Sequence, residues 1–388
     1  MLVPVPVLFT TLAQALGMMS APIVIFVGGF LGFALAPSQG LSTLPVAALV
    51  VGSALASMPA VLIMKRIGRR KGFVYATLTG ILGSVLAVVS VNTANFWGLC
   101  FSTVLLGVQI AFVAQFRFAA LEWVDASRAG VTASFVMLGG LVAAWLGPEL
   151  AMLGQHLVAA EFAGAFILLA VVQVLLLVLL SLMPFAQLQT VEHQETNTPW
   201  LTLLSRPGIS AAIMCAAAAY GVMSLIMTAT PVSMSEIQSY PLHETKSVIQ
   251  SHIMAMFLPS LFTPFILKRI KTATLLVAGL LVMVVAITIA LWDQSYWGYW
   301  GSLVCLGLGW NWLFTGGTAL LAQNYQPHEA FSAQAINEFA VFGIQAIMSL
   351  SAGWLVFQYG WHVLNLFAIP LLILALVMLA RWRFSKAA

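Results

Sequence analysis

Charge is what this chain of 388 residues has least of: 7% of its residues are Asp, Glu, Lys or Arg, where a soluble domain carries roughly 25%. With 62% hydrophobic residues and a mean hydropathy of +1.03, water is excluded as its main environment. The three cysteines, Cys100, Cys215 and Cys305, all fall in apolar runs without a CxxC spacing. That excludes a disulfide scaffold and a thiolate metal site, and leaves them as small buried hydrophobes. There is no Gly-Lys-Ser/Thr phosphate loop and no HExxH, so neither ATP-driven work nor zinc hydrolysis is read from the chain. The nearest approach to a hydrolase elbow, Ala36-Pro37-Ser38-Gln39-Gly40, lacks the first glycine and the strand and helix that motif needs. No enzymatic activity and no cofactor are expected. A pI near 9.1 raises the question of nucleic acid, but the basic residues stand in short clusters without interleaved aromatics, so no such partner is expected.

What the chain does have is long apolar runs. Segments of about 20 apolar residues cross a hydrocarbon core of about 30 Å. On that length the sequence predicts helices over 7–33, 43–64, 72–92, 96–120, 130–153 and 161–184, then over 208–230, 247–267, 272–291, 297–320, 333–357 and 360–381. Fourteen of the fifteen Lys and Arg residues occupy every second gap. They are Lys65, Arg66, Arg69, Arg70 and Lys71; Arg117 and Arg128; Arg206; Lys268, Arg269 and Lys271; and Arg381, Arg383 and Lys386. Lys246 alone breaks the pattern. By the positive-inside rule the basic gaps are cytoplasmic. An even number of crossings then places both termini there, in a multi-pass protein of the cytoplasmic (inner) membrane surrounded by lipid. Trp97, Trp292, Trp297, Trp300 and Trp361 at one rim and Trp123 and Trp382 at the other read as interfacial belts.

The longest polar interval, from Gln187 to Arg206, divides the crossings six and six. It gives an N-terminal bundle over 1–184, a cytoplasmic linker over 185–207 and a C-terminal bundle over 208–388. Landmarks recur across it: Lys65-Arg66-Ile67 with Lys268-Arg269-Ile270, Leu106-Gly107 with Leu306-Gly307, Gly139 with Gly343, and Pro22 with Pro231. Each pair is separated by roughly 200 residues, the mark of a tandem repeat. The gap after the second predicted span reads Lys65, Arg66, Gly68, Arg69, Arg70, and the fifth span carries Gly147-Pro148. At these positions the chain resembles the major facilitator superfamily along essentially its whole length. It keeps the Arg-x-Gly-Arg-Arg core of that family's G-x-x-x-D-R-x-G-R-R loop, with Val61 and Lys65 in place of the glycine and the acid. The arginine that many of its drug exporters bear on the fourth helix is absent from Thr103-Val104-Leu105-Leu106-Gly107.

The resemblance implies an all-α membrane protein of twelve transmembrane helices in two pseudo-symmetric six-helix bundles, working by alternating access. It also implies that the first, fourth, seventh and tenth helices line a central cavity. Gln14, Gln109, Tyr220, Trp310 and Asn311, polar or aromatic and deep in those helices, are then the candidate substrate-binding set. An aromatic plane beside an amide suits a small organic solute with a ring-shaped body and a few hydrogen-bonding groups. With no basic residue read at mid-membrane, a phosphate ester is disfavoured. Glu149, about 28 Å along the fifth span, and His252 on the eighth lie at similar depth, and are expected to meet as an outer, proton-coupling gate. Toward the cytoplasm, Lys65, Arg66, Arg69 and Arg70 face Glu122, Asp125 and Glu338 as a charged clasp, with Lys65 opposite Glu338. No metal site is read. The leading reading is a monomeric, proton-coupled secondary transporter acting in symport. A multidrug exporter by proton antiport, a lipid flippase and a non-transporting membrane receptor are the rivals.

The alternating basic gaps generate a direct test of topology. Single cysteines replacing Gln39 and His328 are expected to react with an impermeant thiol reagent from opposite faces of the membrane, Gln39 from outside and His328 from inside. Labelling of both from the same face would overturn the twelve-crossing reading.

Overall fold

The computed structural model describes residues 4–124, 129–183, 199–262 and 269–387, and every regular element among them is helical. The first crossing is built from α1 (Val5–Met18) and α2 (Ser20–Leu35). They are separate because Pro22 has no N–H to give the carbonyl four residues back, so the ladder loosens around Met19, whose N–H bonds to Leu16 O instead. Next come α3 (Leu44–Ile67), α4 (Arg69–Asn92) and α5 (Phe96–Val113), the last continued past Ala114 by the short α6 (Phe116–Leu121). The N-terminal half ends with α7 (Ala129–Leu153) and α8 (Ala163–Leu182).

Within the predicted linker 185–207, residues 199–207 are described, and Trp200–Ser205 forms a short helix, α9. The second half runs through α10 (Pro207–Val232), α11 (Leu242–Phe257), α12 (Thr272–Trp292), α13 (Tyr296–Ala322), α14 (Ala330–Leu366) and α15 (Ile369–Ala387). Ten described stretches are long and apolar enough to cross a membrane. The stretch Ser332–Ser385 holds two crossings folded at Gly360, and α11 with the turn Leu258–Leu261 supplies another, which completes twelve. Helices are the form the bilayer demands, since no water is there to satisfy exposed backbone groups.

Two glycines make the sharp reversals. Gly68 (φ 86°) ends α3 and opens α4, and Gly360 (φ 79°) folds the last two crossings apart. Both sit in the left-handed region where a side chain would be strained. This is the physical reason for the glycine inside Arg66-x-Gly68-Arg69-Arg70. Lys65 and Arg66, in the last turn of α3, are favoured by the helix dipole. Arg69 and Arg70 open α4, where the dipole disfavours a cation, and both are satisfied by neighbours: Arg69 pairs with Glu122, and Arg70 Nη2 donates to Ser181 O at 3.0 Å. At the same rim of the other half, Arg206 makes a two-pronged pair with Glu329 at 2.7 and 2.8 Å. Those bonds, with a further one from the Gln326 backbone N–H, hold the Glu329 carboxyl down at about 2.

The repeated Leu-Gly landmark does the same work twice. Gly107 of α5 seats against the Leu49 carbonyl of α3, and Gly307 of α13 seats against the His252 carbonyl of α11. In lipid the hydrophobic effect does not drive helices together, so backbone approach at small residues supplies the packing. Gly139 likewise meets the Thr11 carbonyl, whereas its sequence counterpart Gly343 has open space beside it. Of the predicted interfacial tryptophans, Trp97, Trp292 and Trp297 are exposed. Trp361 and Trp382 are instead buried, Trp361 donating to Ala290 O at 3.1 Å.

The halves meet at the end opposite the basic clusters. There Gly29 of α2 lies against Pro231 of α10, Phe33 stacks on Phe357 at 6.1 Å, and Gly353 of α14 rests on Thr43. At the basic end, by contrast, Val61, Leu62 and Ile63 of α3 are exposed between the buried Ala60 and Met64, and Phe339 of α14 is 80% exposed. The two helices touch at one end and diverge at the other, so the space between the halves opens toward the basic rim.

Because a side chain at either landmark would strike backbone, Gly107→Leu and Gly307→Leu are each expected to lower stability by about 1–3 kcal/mol. Gly343→Ala should leave stability near wild type. Thermal unfolding of the detergent-solubilised protein measures all three.

Candidate functional site

The central site is decided by which deep polar atoms are satisfied within one half and which are not. Gln109 is fully buried in the N-terminal half. It accepts from Ser20 Oγ at 3.0 Å and donates to Gly17 O at 3.2 Å and to Gln173 Oε1 at 3.3 Å, while Gln173 donates to Ser20 Oγ at 2.9 Å. The cluster ties the broken first crossing to α5 and α8, so Gln109 is a brace and not part of the cavity wall. Asn311 is likewise withdrawn: its Nδ2 donates to Met256 O at 2.8 Å and Ser260 Oγ at 2.7 Å, fastening α13 to the end of α11.

Of the other three candidates, Tyr220 and Trp310 stand in one aromatic cluster and Gln14 is buried in the N-terminal half. Trp310 stacks on Phe314 at 5.3 Å and 19°, and meets the edges of Tyr220 at 5.1 Å and Phe257 at 6.2 Å. Tyr220 also touches Phe314 and Phe342, which makes it the centre of an aromatic wall on the C-terminal half. Phe257 carries the wall across to Gly140 of α7, on the other half. Trp310 Nε1 and Gln14 Oε1 are buried without a hydrogen-bond partner. Such orphans are rare enough in folded proteins to require a reason.

A third orphan is Arg117 Nε. Arg117, on α6, has its guanidinium 4.6 Å from the Phe118 ring and lies within electrostatic reach of Tyr220 and Glu338. This corrects one expectation. The cation near Glu338 is Arg117, with Asn337 as its hydrogen-bonding neighbour, where Lys65 was expected. The sequence held the signal, since Arg117 falls inside the span predicted over 96–120. Of the remaining clasp residues, Arg69 and Glu122 join within one half, Arg66 is exposed, Lys65 makes an interaction of its own, and Asp125 lies outside the described residues.

The opposite end holds a lock that the sequence reading assigned differently. Glu149 of α7 meets α11 across the interface between halves, but its partners are Lys246 Nζ at 2.9 Å and Gln250 Nε2 at 3.1 Å. Gln250 also donates to Trp145 O at 2.9 Å. His252 is buried on another face of α11, with Nδ1 donating to Leu303 O at 2.7 Å. Two residues turn a helix by about 200°, so if Gln250 points across the interface His252 points back into its own half. Lys246, the one cation on the wrong side of the charge pattern, was the available signal.

Two packed six-helix halves, a cleft opening at one end and a polar-edged aromatic wall between them are joined by direct evidence from sequence. The chain matches the Major Facilitator Superfamily over residues 7–341 and 212–388. It belongs to that superfamily. It is 34% identical over 374 residues to the riboflavin transporter RfnT of Brucella anthropi, covering 96% of this chain and 94% of that protein. It is 25% identical over 381 residues to the uncharacterized MFS-type transporter YddS of Bacillus subtilis, covering 90% and 86%. Two solved structures share the fold. The MFS transporter FucP in its outward conformation has a TM-score of 0.66 at 14% identity, covering 98% of both chains. A bacterial homologue of the lysosomal transporter Spinster, inward-facing and occupied, has a TM-score of 0.70 at 12% identity, covering 98% and 96%. The protein is a multi-pass membrane transporter and not an enzyme.

Partly exposed ion pairs contribute about 0.2–1 kcal/mol. Lys246→Gln or Glu149→Gln should therefore shift the population toward forms open at that end by about two- to fivefold. The exchanged pair Lys246→Glu with Glu149→Lys should restore closure. Spin-label distances between Phe33 and Phe357 positions report the shift, and an unchanged distribution would reject the lock.

Proposed function

We propose that this transporter carries riboflavin, or a flat heteroaromatic solute of the same kind, into the cell in symport with protons. In this reading the basic rim is cytoplasmic, both termini lie there, and the monomer in the cytoplasmic membrane is the working unit. The observation that carries it is the aromatic wall of Tyr220, Trp310 and Phe314, edged by three buried polar atoms without partners. A tricyclic ring with donors and acceptors along its edge supplies what the wall and the orphans lack. Trp310 Nε1 and Arg117 Nε would donate to ring carbonyls or nitrogens, and Gln14 Oε1 would accept from an N–H or a hydroxyl. The resemblance to a riboflavin transporter over nearly the full length of both chains favours that solute among flat ones.

Coupling is assigned to Glu338 and Arg117, which belong to opposite halves. With Glu338 ionised, their attraction favours approach of the halves at the basic end, and protonation of Glu338 removes it. A proton taken up from outside together with the solute would thus release the cytoplasmic closure, and loss of that proton inside would restore it.

Purified protein in liposomes is expected to accumulate riboflavin when the interior is made alkaline. Trp310→Ala should weaken riboflavin binding about tenfold or more, as loss of a stacking partner does. Glu338→Gln should keep riboflavin exchange at equal pH but lose gradient-driven accumulation. Absence of uptake in the wild type rejects the substrate, and gradient-driven accumulation by Glu338→Gln rejects the coupling residue.

A further inference from the structure

Outside the contacts that close the outer end, the two halves enclose a second cavity of about 380 Å³, within the range of about 300–1,000 Å³ usual for small-molecule sites. Both halves build it. Phe30, Phe33 and Ala34 come from the end of α2, Gln155, Glu161 and Phe162 from the loop between α7 and α8, and Glu236 and Tyr240 from the connection between α10 and α11. The Phe30 and Phe162 rings are stacked, 6.0 Å apart at 12°, and line one wall with apolar side chains that are themselves largely buried. Glu161 accepts from Gln155 Nε2 at 2.7 Å, and Glu236 on the facing half is exposed. Tyr240 is held by a bond from its hydroxyl to Gln294 O at 2.9 Å.

The loops that frame this cavity are strained. Among the described residues three non-glycine positions have positive φ, and two of them, Phe162 (62°) and Ser239 (59°), stand in these two loops. Backbone of this kind persists where the surroundings hold it for a purpose, binding sites above all. The charge is one-sided as well. Lys246 is the one Lys or Arg in the outer gaps of the sequence, and it is engaged by Glu149.

We propose that this cavity is an external docking vestibule for a flat-ringed, hydroxyl-bearing solute that is neutral or cationic, and that Glu161 and Glu236 turn away phosphorylated or otherwise anionic analogues. The proposal rests on the reading above for the identity of the solute. The ring lies against Phe30 and Phe162, and hydroxyl groups donate to the two carboxylates. An anion meets two like charges in a cleft whose low-dielectric walls focus their field. Selection against phosphate esters is thus made at the entrance, before the halves move.

The test places a cysteine at Ala34, which lines the cavity and is exposed, in a Cys305→Ser background. Externally added methanethiosulfonates of opposite charge, trimethylammonium-ethyl and sulfonato-ethyl, then report the local field. The cationic reagent is expected to be favoured at least tenfold more than it is by a free thiol. The preference should fall about tenfold with each of Glu161→Gln and Glu236→Gln, the order of effect of one nearby charge under partial screening. Riboflavin outside should slow the modification and its 5′-phosphate should not, until both glutamates are replaced. Protection by riboflavin should survive Trp310→Ala, which weakens the central site alone. A reagent preference equal to that of a free thiol and unmoved by the glutamine substitutions overturns the vestibule, and so does protection that vanishes with Trp310→Ala. If the wild type accumulates no riboflavin, the substrate reading falls by itself, and the reagent preference still decides for or against the charged vestibule.

Discussion

Inside a bilayer no water is available to satisfy a polar group, and the rest of this structure follows from that. Every donor or acceptor within the membrane must find a partner in the protein or stand exposed to a cost of several kcal/mol. The chain meets this constraint first by having few such groups, with 7% charged residues. It meets it next by pairing most of those it has within one half. Gln109, Gln173 and Ser20 close a ring of bonds around the break in the first crossing. Asn311 and His252 fasten the α11 to α13 seam.

Against that background the exceptions carry the information. Gln14 Oε1, Trp310 Nε1 and Arg117 Nε, drawn from both halves, are among the buried side-chain atoms without a partner, as are Ser42 Oγ, His252 Nε2, Trp312 Nε1 and Asn365 Oδ1. A transporter that must be occupied by solute in one step and empty in another has reason to leave them to the solute. The aromatic wall beside them provides contact area without fixed charge, which suits binding that must also be released.

The two ends of the molecule use different chemistry for closure. The end opposite the basic clusters combines backbone-close packing at Gly29 and Gly353 with the ion pair of Glu149 and Lys246, braced by Gln250. At the basic rim the ion pairs shown, Arg69 with Glu122 and Arg206 with Glu329, stay within a half and hold helix ends together. Charge at the basic rim thus ties helix ends together within each half.

The sequence by itself determined the solvent, the number of crossings and the helix boundaries to within a few residues, because apolar length and basic punctuation are one-dimensional signals. It also contained the repeat, and the structure explains why Leu106-Gly107 and Leu306-Gly307 recur: each lets two backbones touch. What only the tertiary structure decided is direction around each helix. Trp310 and Asn311 are neighbours in the chain, yet about 100° apart in azimuth, so one packs among Tyr220 and Phe314 and the other bonds to the end of α11. The same rotation separates His252 from Gln250 and gives Glu149 to Lys246. A polar residue's height follows from counting along the chain, but whether it meets a solute or a neighbouring helix depends on how the helices are turned against each other, which is settled by packing between segments far apart in sequence.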